Sequence, residues 1–439
     1  MNRTRLLGLV LTGALLLMTG TWPALACYTT TAAESRAANL IVFVVENFGF
    51  GTQNLARLAL AGAENRLKLE TMPYVGVMNL FGRTGLAVDE RAALWPLVWG
   101  LKADAGETPP GAAGRASWVN LVRASTRSLG LVTDGRLDEE PWPLGTLQQP
   151  SAGGTKLEAL LKNPPAFLFG WAPEGEKWAE QVAAGGAGHA KSASAWTAED
   201  EGAAWYLLPG TPANPLAEEA KPTLAQVVER ALAQLKQDPD GFVLVVHAGE
   251  VGRALRERDL PLAVAHLSLF DEAVGKALAF AEQTEGTAVL AVSTGDPANL
   301  TLREGFAASK LDALQQPLSR VAAGVKQAPS PAAAAATVRQ GLGLEVSEAE
   351  VAGWQGLSDA DLRARLADRE AAALNIAFDP ARRAVGPAPV FAYGPGAWVY
   401  GRLFDATELP SLIAGQLWLD PQGLVAGTLP QASAQLTTR

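Results

Sequence analysis

The sequence predicts an α/β protein, a three-layer α/β/α sandwich around a mostly parallel sheet. Two features predict it. Six apolar runs of strand length, each bounded by turn residues, have the unbroken hydrophobicity of strands buried on both faces. Helical patterns alternate with them, which in sequence marks a doubly wound layer structure.

The first run, "NLIVFVV" (39–45), ends in the turn "ENFGFG" (46–51). Open α/β folds place their chemistry at the carboxyl ends of such strands, so Glu46 and Asn47 are marked first. The later runs are "SLGLVT" (128–133), "AFLFGW" (166–171), "GFVLVVHA" (241–248), "TAVLAVST" (287–294) and "APVFAYG" (388–394). Between them, "TLAQVVERALAQLKQ" (223–237) starts at a Thr cap behind Pro222. "AHLSLFDEAVGKALAFAEQ" (265–283) carries apolar residues at helical spacing. Over about 298–385 the strand signal fades into two helical stretches separated by the Ala/Pro segment "APSPAAAAA" (328–336), read as a helical insertion in the same domain.

Composition limits the function classes. In 439 residues, 48% are hydrophobic and 18% charged, enough for a sizeable core. A net charge of −9 argues against nucleic acid as a partner. Three histidines leave little room for a histidine-built metal centre.

Residues 1–26 read as a signal peptide: Arg3 and Arg5, the apolar "LLGLVLTGALLLM", then "ALA" before Cys27. Its removal takes away two Arg and no acid, moving the charge from −9 to −11. Cys27 stands where a bacterial lipoprotein carries its lipid, although Ala24 occupies a position where leucine is usual. The competing reading is cleavage before an incidental cysteine. Either way the expectation is an exported protein, periplasmic or in the cell envelope, with no disulfide within the chain.

Several segments together resemble the alkaline phosphatase family. "NLIVFVVENFGFG" is similar to that family's first strand and turn, and "MPYVGVMN" (72–79) to the short strand before its nucleophile. "PTLAQVVERALAQLKQDPDGFVLVVHAGEVGRA" and "LSLFDEAVGKALAFAEQ" resemble its helix–strand–helix block. "PVFAYGPGAWVYGRLFDATELPSLIAGQLWL" (389–419) resembles its C-terminal block. The resemblance implies an alkaline-phosphatase-like domain over 27–439. In that family two zincs and usually a magnesium activate a serine that takes the phosphoryl group, chemistry that needs carboxylates, neutral imidazoles and a phosphate-clamping arginine.

Position by position, the resemblance implies a degenerate site. Glu46 replaces the bridging aspartate, and Glu90 stands at the nucleophile, after Asp89. On the magnesium side Glu139 and Pro141 fall at ligand positions, and the clamping arginine falls on Ala152. His247 replaces a glutamate, while Gly252 and Arg256 replace a zinc-binding Asp and His. Gly295-Asp296 replaces an Asp-His pair, and Arg383 the last zinc histidine. An arginine beside a divalent metal is repelled by roughly 8 kcal/mol at 4 Å and an effective dielectric near 20. It cannot shed its proton. Arg256 and Arg383 are therefore expected to pair with Glu46, Glu90 or Asp89 instead.

Several features carry two readings each. Glu90 is a phosphoserine mimic or a salt-bridged surface glutamate. His247 with Glu250 is a residual single-metal site or a hydrogen-bonded strand-end histidine. His266 packs in a helix, and His189 sits in a Gly/Ala-rich loop. Asp138-Glu139-Glu140 is a carboxylate pair for sugar chemistry or a solvated loop. "AVSTG" (291–295) is a weak echo of a serine-hydrolase elbow or a strand end. Trp95, Trp99, Trp118, Trp142, Trp171, Trp178, Trp196 and Trp205 fill space left by metals and substrate, or dock an envelope component.

The expected function is a non-catalytic pseudophosphatase, lipid-anchored and serving as accessory or scaffold subunit of a cell-envelope assembly, with no cofactor. One alternative is a reduced phosphatase using Glu46, Asp89, Asp296 and His247 around one metal, zinc or magnesium. Another is a metal-free protein holding an anion on Arg256 and Arg383.

Overall fold

A computed structural model describes residues 36–85, 88–108, 115–137, 164–172, 190–191, 205–209, 212, 214–217, 222–296, 298–379, 386–420 and 424. In chain order the strands are β1 (Asn39–Val45), β2 (Tyr74–Asn79), β3 (Ser128–Arg136), β4 (Phe167–Ala172), β5 (Ala190–Lys191) and β6 (Trp205–Pro209). They continue with β7 (Phe242–Ala248), β8 (Thr287–Ser293), β9 (Thr301–Leu302), β10 (Ile376–Ala377), β11 (Pro387–Tyr393) and β12 (Leu403–Asp405). The α-helices are α1 (Phe50–Ala56), α2 (Glu90–Leu94), α3 (Trp118–Ala124), α4 (Leu224–Leu235), α5 (Gly249–Arg256) and α6 (Leu260–Gln283). After them come α7 (Leu318–Gln327), α8 (Pro331–Leu342), α9 (Glu348–Ala352), α10 (Asp359–Leu374) and α11 (Leu409–Gln416).

Ten strands form one sheet in the order β12-β2-β11-β8-β1-β7-β3-β4-β6-β5. The pairings are parallel except where β11 runs antiparallel to β8 and β2. β1 is unbroken in hydrophobicity because both its faces are covered. Ile41, Phe43 and Val45 pack into a core with α4, α5 and α6. Leu40, Val42 and Val44 pack into another with α2, α3 and α11. The result is the three-layer α/β/α architecture expected from the sequence.

Local chemistry sets the helix starts. Thr223 and Gln226 form a reciprocal capping box at α4, with Gln226 Oε1 accepting from Thr223 N at 2.9 Å. The long helix begins at Leu260 rather than 265, because Asp259 caps it through Leu262 N at 3.2 Å and Pro261 fits the first turn. The Ala/Pro segment read as a separator is instead the first half of α8. Ser330 accepts from Ala333 N at 3.2 Å, and Pro331 tolerates the position where a backbone N–H goes unused. Helices α7 to α10 share an apolar core of their own. They are tied back where Leu318 N donates to Asp259 Oδ2 (2.9 Å) and Arg258 pairs with Asp368 (2.7 Å).

Trp99 and Trp118 are buried, and Trp118 Nε1 donates to Leu97 O at 3.0 Å, so these two are packing residues. The side chains of Trp142, Trp178, Trp196 and Trp205 lie outside the described residues. No helix among the described residues is long and apolar enough to cross a membrane.

Candidate functional site

Three parallel strands bring their carboxyl ends together. In register, β1 places Val44 beside His247 of β7, and β3 places Thr133 on the other side of His247. Glu46, two residues beyond Val44, curls back over the end of β1 and is wholly buried. His247 Nε2 lies 3.0 Å from Glu46 Oε1, and Nδ1 lies 3.0 Å from Thr133 Oγ1. Arg256 Nη1, from the last turn of α5, donates to Glu46 Oε2 at 2.9 Å. Burial opposes ionisation of Glu46, but the His247 hydrogen bond and charge, together with Arg256, outweigh it and hold the carboxyl below its ordinary range. An ionised carboxylate only accepts, so His247 Nε2 carries the shared proton.

Gly252 makes this cluster possible. A Cβ there would lie 2.4 Å from Glu46 Cβ and 2.6 Å from Glu46 Oε2. The first turns of α5 therefore press directly onto Glu46. The space beside Gly252 that a side chain would need is taken by Glu46 and the Arg256 guanidinium, whose Nη1 would lie 3.1 Å from that Cβ. Asn47 fastens the same corner from the other side. It turns the chain at φ 56°, its Nδ2 donates to Gly252 O (3.2 Å), and its Oδ1 accepts from Ala298 N (2.9 Å). Asparagine tolerates the left-handed region and cross-links backbone from there.

Asp134, which the sequence reading did not single out, closes β3 beside this cluster. Its Oδ1 accepts from Gly249 N (2.8 Å) and Glu250 N (3.1 Å), fixing the start of α5. The pattern "VTDG" at the end of an apolar run was the available signal. Burial, then the neighbouring Glu250 carboxylate, pushes Asp134 up to about 7, against His247 and the two backbone donors. A folded value above the unfolded one means that the ionised form destabilises the fold. The stability present below about pH 3.8 is lost as pH rises through about 7. Part of the Asp134 surface faces an open cleft, so solvent screening reduces the effect. Asp134→Asn keeps the acceptor for α5, and is expected to raise the thermal midpoint at pH 8 by about 1–2 kcal/mol of stability. The difference should vanish in melts near pH 4.

The other marked positions do different work. Asp89 caps α2, its Oδ1 accepting from Ala92 N at 2.7 Å, which leaves Glu90 as the first residue of that helix. The Glu90 side chain lies outside the described residues. Asp296 packs against Gly49 and is pushed up to about 6 by burial, opposed by backbone N–H groups of Leu300 and Asn299. Gly295 turns the chain at φ 108°. Ser293 of "AVSTG" serves that turn, accepting from Phe48 N (3.2 Å) and bonding to Gly295, and is the strand end rather than a nucleophile elbow.

Glu250 Oε2 accepts from Arg253 Nε at 2.7 Å, while His247 is hydrogen-bonded to Glu46 and Thr133. Among the described residues no group of three or more His, Cys, Asp or Glu side chains is placed to hold a metal ion. The structure therefore does not gather Glu46, Asp89, Asp296 and His247 around one metal. Both Glu46 oxygens are already engaged by His247 and a fixed cation, so these residues do not fit zinc or magnesium. Cys27, Asp138, Glu139, Glu140, Pro141, Ala152, His189 and Arg383 lie outside the described residues.

The profile of the alkaline phosphatase family matches residues 213–418, the part of the chain holding β7, α5, β8 and β11. No curated protein matches. Among solved structures, the cold-active alkaline phosphatase from the psychrophile Shewanella sp. superposes with TM-score 0.77 at 17% identity, covering 86% of this chain and 99% of that one. The Thermus thermophilus alkaline phosphatase gives TM-score 0.70 at 19% identity, over 89% and 94% of the two chains. The alkaline phosphatase of the Antarctic bacterium TAB5 gives 0.60 at 14% identity, over 88% and 99%.

Proposed function

We propose, from its similarity to alkaline phosphatases in the profile match and in fold, that this chain is an exported pseudophosphatase, serving as an accessory or scaffold subunit in the cell envelope. The observation that carries the reading is the Arg256–Glu46 ion pair. A permanent cation is hydrogen-bonded to the buried carboxylate at the position where the family's metal-bridging aspartate stands. Two-metal phosphoryl transfer needs that carboxylate to face cations of its own. Gly252, Arg256 and Glu90 remove a ligand pair and the nucleophile that the chemistry would need. Export and lipid attachment at Cys27 rest on the leader sequence.

The test is metal content by mass spectrometry, after incubating the mature protein with excess zinc and magnesium and desalting, alongside hydrolysis of an aryl phosphate. The expected result is no stoichiometric metal and no turnover. Two zincs per chain with turnover overturns the reading, and one metal returns it to a reduced enzyme. Crosslinking in intact cells is expected to capture an envelope protein. A chain that crosslinks to none would remove the scaffold role.

A second reading is favoured by one observation: the Arg256 side chain is 37% exposed while the carboxylate it pairs with is wholly buried. That suits a weakly held oxyanion. A melt that rises with phosphate, and no longer does so in Arg256→Met, would favour the anion-binding reading.

A further inference from the structure

Beside the Glu46 cluster lies a separate cleft of about 60 Å³, between the ends of β3 and β4 and the helices α4 and α6. Phe169, Trp171 and Leu269 form apolar walls, Thr223 stands at the α4 cap, and the polar groups are Asp134 and His266. His266 is 3% exposed, and among the described residues neither ring nitrogen has a hydrogen-bond partner. Its nearest charged neighbour, Glu250 Oε2, is 3.9 Å from Nε2, beyond hydrogen-bond reach. Burial, then the Arg253 cation, lowers His266 to about 3, so the ring is neutral and offers a lone pair and an N–H. A buried imidazole with both nitrogens unused is costly unless something enters to bond it.

We propose that this cleft is a binding site for a small organic ammonium group. Its residues supply what such a cation needs. The Asp134 carboxyl gives charge, the His266 lone pair accepts an N–H, and aromatic Trp171 is among the lining residues, the side-chain type that attracts an ammonium group. Among the described residues no Lys or Arg lines the cleft. An entering cation also relieves the repulsion between the Asp134 and Glu250 carboxyls. The volume suits a head group of a few heavy atoms. The site uses none of Glu46, His247 or Arg256, so it stands whether or not the pseudophosphatase reading does.

The experiment is titration of the mature protein with methylammonium and with tetramethylammonium chloride, read by Trp fluorescence and thermal midpoint, with sodium chloride and tert-butanol as controls. For so few atoms the expected dissociation constant is on the order of millimolar. Methylammonium is expected to bind more tightly than tert-butanol, and binding should weaken at least about fivefold in Asp134→Asn and in Trp171→Leu. Tert-butanol binding equally well would make the cleft an apolar pocket and overturn the proposal. No saturable response to either cation would leave the cleft to water and overturn it as well. The comparison with tert-butanol is made on the wild-type chain, so it decides the question even if a variant fails to fold.

Discussion

Gly252→Ala is expected to destabilise the protein by about 2–4 kcal/mol, measured by denaturant or thermal unfolding. The added Cβ would sit 2.4 Å from Glu46 Cβ, and that atom belongs to the root of a buried side chain with nowhere to move. Relief requires α5 to slide away from β1. That slide pulls on the Asn47 bond to Gly252 O and on the two backbone donors held by Asp134. Gly252→Asp should cost more, since it adds a carboxylate beside that of Glu46. Introducing together the residues that the sequence resemblance implies at these positions, Glu46→Asp, Gly252→Asp and Arg256→His, shortens residue 46 but keeps its Cβ. The clash therefore persists, and the triple variant is expected to remain less stable than wild type. A triple variant as stable as the parent would show that the helix position follows the side chains, contrary to the close approach described above.

Arg256→Met is expected to cost about 2–3 kcal/mol at neutral pH, because it leaves the wholly buried Glu46 carboxylate with His247 alone. A fully buried pair would lose more; the 37% exposure of Arg256 lowers the figure. The pH dependence has a definite sign. Glu46 is held below its ordinary value of 4.5, so its contribution to stability is present above that value and is lost as pH falls through the folded one. The gap between wild type and Arg256→Met should thus be wide at pH 7 and should close only as pH falls below 4.5 through the lowered folded value. Adding Glu46→Gln is expected to recover part of the loss, since a neutral amide still accepts from His247 and no longer leaves a charge unmatched. A double variant no better than Arg256→Met would mean that the arginine acts by packing its stem rather than by its charge.

Both effects arise at one contact. Glu46, Gly252 and Arg256 form one interlocked unit: a buried acid, a position with no room for a side chain and a guanidinium bonded to that acid. Changing any one alone exposes the mismatch of the other two. Interaction energies within this group should be far from additive.

The sequence by itself determined the layers and the central strands. Unbroken apolar runs such as 39–45 and 241–248 can only be buried on both faces, and the cap at Thr223 follows from local hydrogen bonding. It also determined that histidine is scarce, with three in 439 residues. Tertiary structure decided the partners. Nothing local says that Arg256 would choose Glu46, while Asp89 is used by its own helix and Glu250 by Arg253. Those choices follow from the register of β1, β7 and β3 and from how closely Gly252 lets α5 approach. Asp134 and His266 were visible as letters, one at a strand end and one in an apolar helix. Their meeting in one cleft, 132 positions apart in the numbering, depends on the parallel crossover that lays α6 against the ends of β3 and β4. Local propensity carries no information about such a distance, because the contact exists only once the whole sheet has formed.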